Sequence, residues 1–270
     1  ALTNSTISGN EALAGGGLAN GLSIFFNYDE DQDSFEYGRS RVSLQHSTVS
    51  GNRAALAGGL LNGWFSDPDS GDPLNELTLG HTIVAGNRAY DGEGYFGYSG
   101  FAQEVFDLNG TISSNAPNLF GDASQDDYAA FAGTFTPTVS SDINATEDGS
   151  DIPLSDILDP VLRDNGGRTK THALVFGSPA IDAGDPAFSP PPDYDQRGPG
   201  YPRVVNRRVD IGAYEYRPTP VGGVTVGRSW FGLLISRARL LLVGLTATLG
   251  AFAVALRRTR PTRATKDTRM

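Results

Sequence analysis

The chain has 270 residues, 39% of them hydrophobic, and no cysteine, so it is long enough to bury a sizeable core and contains no disulfide. Its charge is divided unevenly. Residues 1–220 carry 12 Lys and Arg against 30 Asp and Glu, a net charge of −18, whereas residues 221–270 carry 9 against 1, a net charge of +8. The acidic part disfavours nucleic-acid binding, and the contrast predicts that the two parts lie in different surroundings.

The nine-residue motif Leu-x-[Asn/His]-[Ser/Thr]-x-[Ile/Val]-[Ser/Ala]-Gly-Asn occurs three times, at 2–10, 44–52 and 79–87. A second block, Gly-Gly-Leu-x-Asn-Gly, follows the first two copies at the same offset, at 16–21 and 58–63. A fainter fourth copy is expected at 109–115, with Asn115 in the place of Asn87. A recurring unit of this length cannot bury its own apolar face, so the repeats predict coils that stack on one another.

Each motif is rich in Thr, Ile and Val and is bounded by Gly and Asn, which is typical of short strands between tight turns. Alternation points Ile7, Val49 and Val84 inwards, one above the next. Asn4, His46 and His81 fall in another column, at a bend between two strands, where a side-chain hydrogen-bond ladder is expected. The fold class predicted for residues 1–119 is therefore all-β, a right-handed parallel β-helix, or solenoid. Loop insertions are expected at 27–41 and 65–75.

Alternating carboxylates in the first insertion resemble a calcium-binding loop. Asp29, Asp31 and Asp33 are the predicted ligands, and calcium is the only cofactor that the sequence suggests. The pattern departs from the usual loop, because Ser34 stands where Gly is expected and Ser40 stands where Glu is expected. The alternative is a solvated acidic loop. If calcium does bind, a third reading of the function is a calcium-dependent structural module of a larger surface array.

Residues 120–157 are predicted to be an irregular insert and residues 158–216 a C-terminal cap. The cap contains a series of short motifs, at 158–162, 164–167, 169–174, 177–185, 195–198 and 210–215. Taken in order, they resemble the C-terminal region of the choice-of-anchor Q family, bacterial surface proteins with right-handed parallel β-helix repeats. The resemblance covers about residues 1–216. It implies an exported, envelope-attached protein whose anchor varies between members, and it implies no particular reaction or ligand.

The charged and histidine residues of this chain suggest structure more than catalysis. A buried ion network that closes the end of the coil is expected from five residues, Asp182, Asp195, Arg197, Arg203 and Asp210. The alternative is a carboxylate and arginine site for saccharide chemistry. The three histidines, His46, His81 and His172, have no partner at triad or metal-site spacing, so they are expected to be structural and no catalytic residue is predicted.

The C-terminal part has the pattern of a membrane anchor. After a linker at 217–229, a transmembrane helix is predicted at 230–257, where Leu240–Leu256 is uncharged, and a basic cytoplasmic tail at 258–270. Arg237 and Arg239 would reach the outer interface. This topology places the repeats outside the cytoplasmic membrane of a bacterial envelope. The alternative is a buried or interfacial helix.

Together these patterns predict a membrane-anchored surface protein that binds polysaccharide or protein partners without catalysis. The alternative is a polysaccharide lyase or a glycoside hydrolase on the same scaffold. Hydrolysis would require two carboxylates about 5–10 Å apart. The repeats contribute no aligned column of Asp or Glu, which favours binding.

Overall fold

The structure is a computed structural model that describes residues 1–21, 40–63, 75–89, 103–107, 110–137, 141–206 and 208–218. The chain divides into two compact units, Ala1–Arg217 and Pro218–Met270. None of the helices in the described ranges is long and apolar enough to cross a membrane. The predicted anchor at 230–257 lies outside these ranges, as does most of the linker.

The first unit consists mainly of short strands, with two helices of a single turn. In chain order the strands are β1 (Leu2–Thr3), β2 (Thr6–Ser8), β3 (Glu11–Ala14), β4 (Leu18–Asn20), β5 (Ser40–Gln45), β6 (Thr48–Ser50), β7 (Arg53–Leu56), β8 (Leu60–Asn62), β9 (Asn75–Gly80), β10 (Ile83–Val84), β11 (Arg88–Ala89), β12 (Val105–Asp107), β13 (Thr111–Ser114), β14 (Leu119–Phe120), β15 (Phe131–Gly133), β16 (Ile143–Asn144), β17 (Val204–Val205) and β18 (Arg208–Val209). The helices are α1 (Asp127–Ala130) and α2 (Leu154–Ile157).

The strands form four parallel sheets, and each sheet takes one strand from each of the first three copies of the repeat. The strand orders are β1-β5-β9-β13, β2-β6-β10-β14-β16, β3-β7-β11 and β4-β8-β12-β15. We call these sheets A, B, C and D. Strands β17 and β18 form a separate antiparallel pair. The all-β class and the parallel pairing of equivalent segments are as the repeats predicted.

The register of sheet B confirms the predicted interior column. Ile7 pairs with Val49, and Val49 pairs with Val84. Val49 and Val84 are fully buried, and all three pack in one apolar cluster. The alternation of the motif therefore sets which face of the strand meets the core.

The segment at 109–115 does not align with the motif in the way that the sequence predicted. Strand β13 pairs with β9, with Ser114 opposite Leu79, so Asn115 follows the start of the motif rather than its end. Asn115 is therefore not equivalent to Asn87. The residues that continue sheet B in this coil are Leu119 and Phe120, opposite Ile83 and Val84. Both are apolar, as Ile83 and Val84 are, but they are other residue types, which is why the alignment missed them.

Residues 120–157 are not an irregular insert. They contribute β15 to sheet D and β16 to sheet B, and α1 and β15 pack on the core. Phe120, Phe131 and Phe135 meet edge to face, with ring centroids 5.2–6.4 Å apart. This aromatic cluster continues the apolar interior past the third copy of the motif.

Residues 158–216 were expected to cap the end of the stacked strands, and they do not lie there. They pack along the outward face of sheet B. Ile83, Leu119 and Ala145 on that face form one apolar cluster with Leu158, Leu174, Ala180 and Ile211 of the C-terminal segment. Backbone bonds join the same surfaces, as the Gly212 amide donates to the His81 carbonyl at 2.8 Å. Ile83 and Leu119 on this face are apolar and need a cover, and Thr6 and Thr48 on the same face hydrogen-bond to the segment that provides it.

Candidate functional site

The first unit contains an open groove of about 500 Å³ between the bend that separates sheet A from sheet B and a loop of the C-terminal segment. Its volume is within the range of small-ligand sites. The residues that line the bend are Thr3, Gln45, His46, His81, Asn115 and Ala116. The residues that line the loop are Asp185, Phe188, Pro191 and Pro192.

One edge of the groove is a column of residues at the ends of the sheet A strands. Thr3 is in register with Gln45, and Gln45 is in register with Gly80. Asn115 follows in the next coil, because Ser114 is opposite Leu79. Gln45 is half-buried, whereas Thr3 and Asn115 are exposed. The column therefore offers a hydroxyl and two amides to a ligand.

Beside this column the two bend histidines form a ring stack. The backbone is left-handed at this bend, with φ angles of 49° at His46, 50° at His81 and 51° at the equivalent residue Asn4. The imidazole rings lie 4.5 Å apart at 13°, and Phe188 meets them edge-on at 4.8 and 5.5 Å. The prediction that the column lies at a bend is confirmed, but the expected hydrogen-bond ladder is replaced by stacking. Asn4 instead donates to the Tyr194 carbonyl at 2.8 Å.

Both stacked histidines are neutral at physiological pH. Burial, followed by the charge of the nearby Arg203, lowers the pKa of His46 to about 2 and that of His81 to about 4. The Asp185 amide donates to Nε2 of His81 at 2.9 Å, which assigns the proton of His81 to Nδ1. Nδ1 of His46 is buried without a hydrogen-bond partner among the described residues.

The loop side of the groove supplies one carboxylate and three apolar side chains. Asp185 accepts a hydrogen bond from the Ala187 amide at 2.8 Å, which fixes its carboxylate at the start of the loop. Among the described residues that line the groove, Asp185 is the only acid and there is no Lys or Arg. This chemistry suits hydrogen bonding and apolar contact with a polar, uncharged molecule.

The predicted ion network is present in the C-terminal segment. Arg197 pairs with Asp195 at 2.6 Å, and its guanidinium lies 4.1 Å and 3.7 Å from the ring centroids of Tyr201 and Tyr214. The stacked, bidentate guanidinium is therefore rigidly held.

A second buried pair continues this network. Arg203 lies 3.8 Å from Glu215, both fully buried, and its guanidinium also donates to the carbonyls of Asp210 and Gly212. Burial raises the pKa of Asp210 and of Glu215. Asp182 joins through its amide, which donates to Asp210 at 2.6 Å. The sequence analysis did not include Glu215 in this network.

His172 has a partner that the sequence analysis did not find. Its Nε2 lies 2.8 Å from Oγ of Ser8, and its Nδ1 lies 2.8 Å from the Asp159 carbonyl, to which it donates. Two neighbouring contacts join the same surfaces, because Thr6 donates to Gln196 at 2.6 Å and Asn4 donates to the Tyr194 carbonyl. His172 is therefore one of a set of links between the first coil and the C-terminal segment.

A ladder of amides is formed by the last residue of each motif. Nδ2 of Asn10 donates to Asn52 and Nδ2 of Asn52 donates to Asn87, both at 2.9 Å, and Nδ2 of Asn87 donates to Glu104 at 2.6 Å. Glu104 also accepts from Gln125 at 2.6 Å. Burial raises the pKa of Glu104 to about 7, although these hydrogen bonds oppose the shift. The identical Asn in all three copies was the signal for this ladder.

The second repeat block forms a shorter ladder. Asn20 donates to Asn62 at 2.7 Å, and Asn62 donates to Asp107 at 2.8 Å. Asp107 also accepts from Thr134 at 2.7 Å. Both ladders thus end on a carboxylate, which can accept from the last amide and from a further donor.

The predicted calcium ligands, Asp29, Asp31 and Asp33, lie outside the described residues. Within the described ranges, no cluster of His, Asp and Glu side chains is arranged to hold a metal ion.

Comparison with family models, curated proteins and solved structures gave no match for this chain. The resemblance to the choice-of-anchor Q family therefore stays a prediction from the motifs of residues 158–216.

Proposed function

We propose that this chain is a bacterial cell-surface protein of the choice-of-anchor Q type, a right-handed parallel β-helix with a C-terminal membrane anchor, and that it binds saccharide without catalysis. The parallel register of the repeats supports the β-helix. The anchor rests on the sequence pattern of residues 230–270.

The observation that carries the binding function is the composition of the groove. Its lining combines exposed amide and hydroxyl groups with Phe188, Pro191 and Pro192. Sugars present hydroxyl groups at their edges and C–H groups on their faces, so they need polar and apolar contacts side by side. The neutral histidine pair is buried and packs against Phe188, which holds this apolar side chain in place.

A polysaccharide lyase or glycoside hydrolase is the second candidate, supported by the parallel-sheet scaffold and by the groove itself. Retaining or inverting hydrolysis uses two carboxylates about 5–10 Å apart. Asp185 is the single carboxylate among the described lining residues. The groove therefore favours binding over hydrolysis.

A glycan array together with a reducing-sugar release assay tests the proposal. We expect saccharide to be retained without release of reducing ends. Phe188→Ala should abolish retention, because it removes the apolar wall of the groove. Phe176→Ala is the matched control, since Phe176 is 82% exposed and does not line the groove. Release of sugar would establish the enzyme instead, and binding of a protein but of no glycan would refute the saccharide proposal.

Cysteine labelling tests the proposed topology, because this sequence has no cysteine of its own that would react with the label. Ser155→Cys places a thiol on an exposed residue of α2, and Thr268→Cys places one in the basic tail. In intact spheroplasts a membrane-impermeant maleimide should label the first and not the second. Equal labelling of both would refute the anchor.

A further inference from the structure

Building on the proposed saccharide function, we infer that the groove takes a linear, uncharged polysaccharide in an extended conformation, lying along the stacking direction of the coils. The direction, the contact groups and the charge of this ligand each follow from a separate feature of the groove.

The direction follows from the column at the ends of the sheet A strands. Thr3, Gln45, Gly80 and Asn115 succeed one another in four adjacent coils. Neighbouring parallel strands lie about 4.8 Å apart, so the column is roughly 14 Å long. One step is comparable to the length of one pyranose unit in an extended chain. A linear polymer that follows the column therefore meets a new coil with each sugar.

The contact groups depend on the glycine in the middle of the column. A Cβ on Gly80 would collide with Oδ1 of Asn115 and Oε1 of Gln45, the ends of two flexible side chains. Both amides thus lie over Gly80 and are brought together by the lack of a side chain there. The backbone of Gly80 is not in the left-handed region, so an alanine would displace the amides without straining the main chain.

The apolar wall lies opposite this column. Phe188 contacts both imidazole rings edge-on and so is held in place, and Pro191 and Pro192 extend the wall. A sugar polymer in the groove would place its hydroxyl groups on the amides and its ring faces against these side chains. A rigid wall of this kind loses little conformational entropy when the ligand binds.

The charge of the groove excludes acidic polymers. The groove contains the carboxylate of Asp185, and the stacked histidines beside it are neutral. Arg203, the nearest cation behind the rings, is fully buried against Glu215, and Arg208 donates to the carbonyls of Gly184 and Ala183. No cation among the described residues lines the groove. A uronate polymer would meet a carboxylate without a compensating charge.

Titration calorimetry with the purified full chain tests this inference. The ligands are linear β-1,4-linked gluco- and manno-oligosaccharides and, as the acidic series, oligogalacturonides of the same lengths. We expect affinity for a neutral series to rise up to the trisaccharide or tetrasaccharide, level off with longer chains, and exceed that for oligogalacturonides at least tenfold. Tighter binding of the acidic series, or equal affinity for monomer and tetramer, would overturn the inference while leaving saccharide binding intact. Failure of every glycan on the array would instead refute the proposed function.

Two substitutions make the test specific to the groove. Gly80→Ala should weaken binding of the neutral tetrasaccharide roughly tenfold or more, through loss of one or two hydrogen bonds. Gly110→Ala is the matched control, because its Cβ would meet the side chains of Asn62 and Asp107, away from the groove. Asp185→Asn should raise affinity for oligogalacturonides relative to that for the neutral series, since it removes the repelling charge. Unchanged affinity in both groove variants would overturn the inference.

Discussion

Asn52→Ala removes the middle member of the longer asparagine ladder. Asn52 is fully buried, and its side chain donates to Asn87 and to the Ile7 carbonyl, both at 2.9 Å. It also accepts from the amide and the side chain of Asn10, at 3.1 and 2.9 Å. Because Asn10 is exposed, water can replace the last two bonds. The two buried bonds cannot be replaced in this way.

The expected cost follows from that difference. A hydrogen bond contributes about 1 kcal/mol net, and a buried group left without a partner costs about 1–3 kcal/mol. The two lost bonds give a loss on the order of 2 kcal/mol in the free energy of unfolding, because the Ile7 carbonyl keeps its place in the sheet B ladder and Asn87 keeps the Asn52 amide as a donor. Asn10→Ala, at the exposed end of the same ladder, should cost less than about 1 kcal/mol, because the Asn10 backbone amide still donates to Asn52.

Urea unfolding followed by circular dichroism measures both variants. We expect the Asn52→Ala midpoint to fall well below that of Asn10→Ala, with the same dependence on urea concentration, since the surface exposed on unfolding is unchanged. Equal midpoints for the two variants would show that the ladder does not stabilise the stack, and the reasoning would be refuted.

Three further predictions concern the interior. The pKa of Glu104 is raised to about 7 in the folded chain, against its ordinary value of 4.5 in the unfolded chain. As the pH rises from about 4.5 to 7, only the unfolded chain loses this proton, so the free energy of unfolding falls over that range. Glu104→Gln should flatten this decline in urea titrations at several pH values, and an unaltered slope would contradict it. Phe120→Ala should cost about 3–5 kcal/mol, whereas Phe176→Ala, at an exposed site, should leave the urea midpoint nearly unchanged. Arg197→Ala leaves Asp195 buried without its ion partner and should lower the free energy of unfolding by about 3–5 kcal/mol. Arg163→Ala, in an exposed pair, should lower it by less than about 1 kcal/mol. Similar shifts in the melting temperature of the two variants would refute this.

The repeats predicted the strand register because their periodicity reports local geometry. Alternation along a strand places Ile7 and Val49 on one face whatever the rest of the chain does. The same local reasoning located the bend at His46, where a left-handed backbone is needed. This reasoning failed at the fourth copy, because Leu119 and Phe120 are apolar like Ile83 and Val84 but are not the residue types of the motif.

The groove was not predicted, because its two sides come from distant parts of the chain. Gln45 and Phe188 are far apart in sequence, and nothing in the pattern of either segment indicates that they face each other. The C-terminal segment was expected at the end of the coil. Two apolar side chains on the outward face of sheet B, Ile83 and Leu119, decided otherwise, because they would be left in water without a cover.

Some features of this protein were therefore determined by its sequence alone, namely the all-β class, the stacking of equivalent segments and the network of Asp195, Arg197, Arg203 and Asp210. Only the tertiary structure decided which surface the C-terminal segment covers, how the bend histidines pair, and where a ligand has room to bind. The physical reason is that the periodicity of a repeat is encoded locally, in neighbouring residues. The partner of an outward-facing side chain is selected by the whole folded surface.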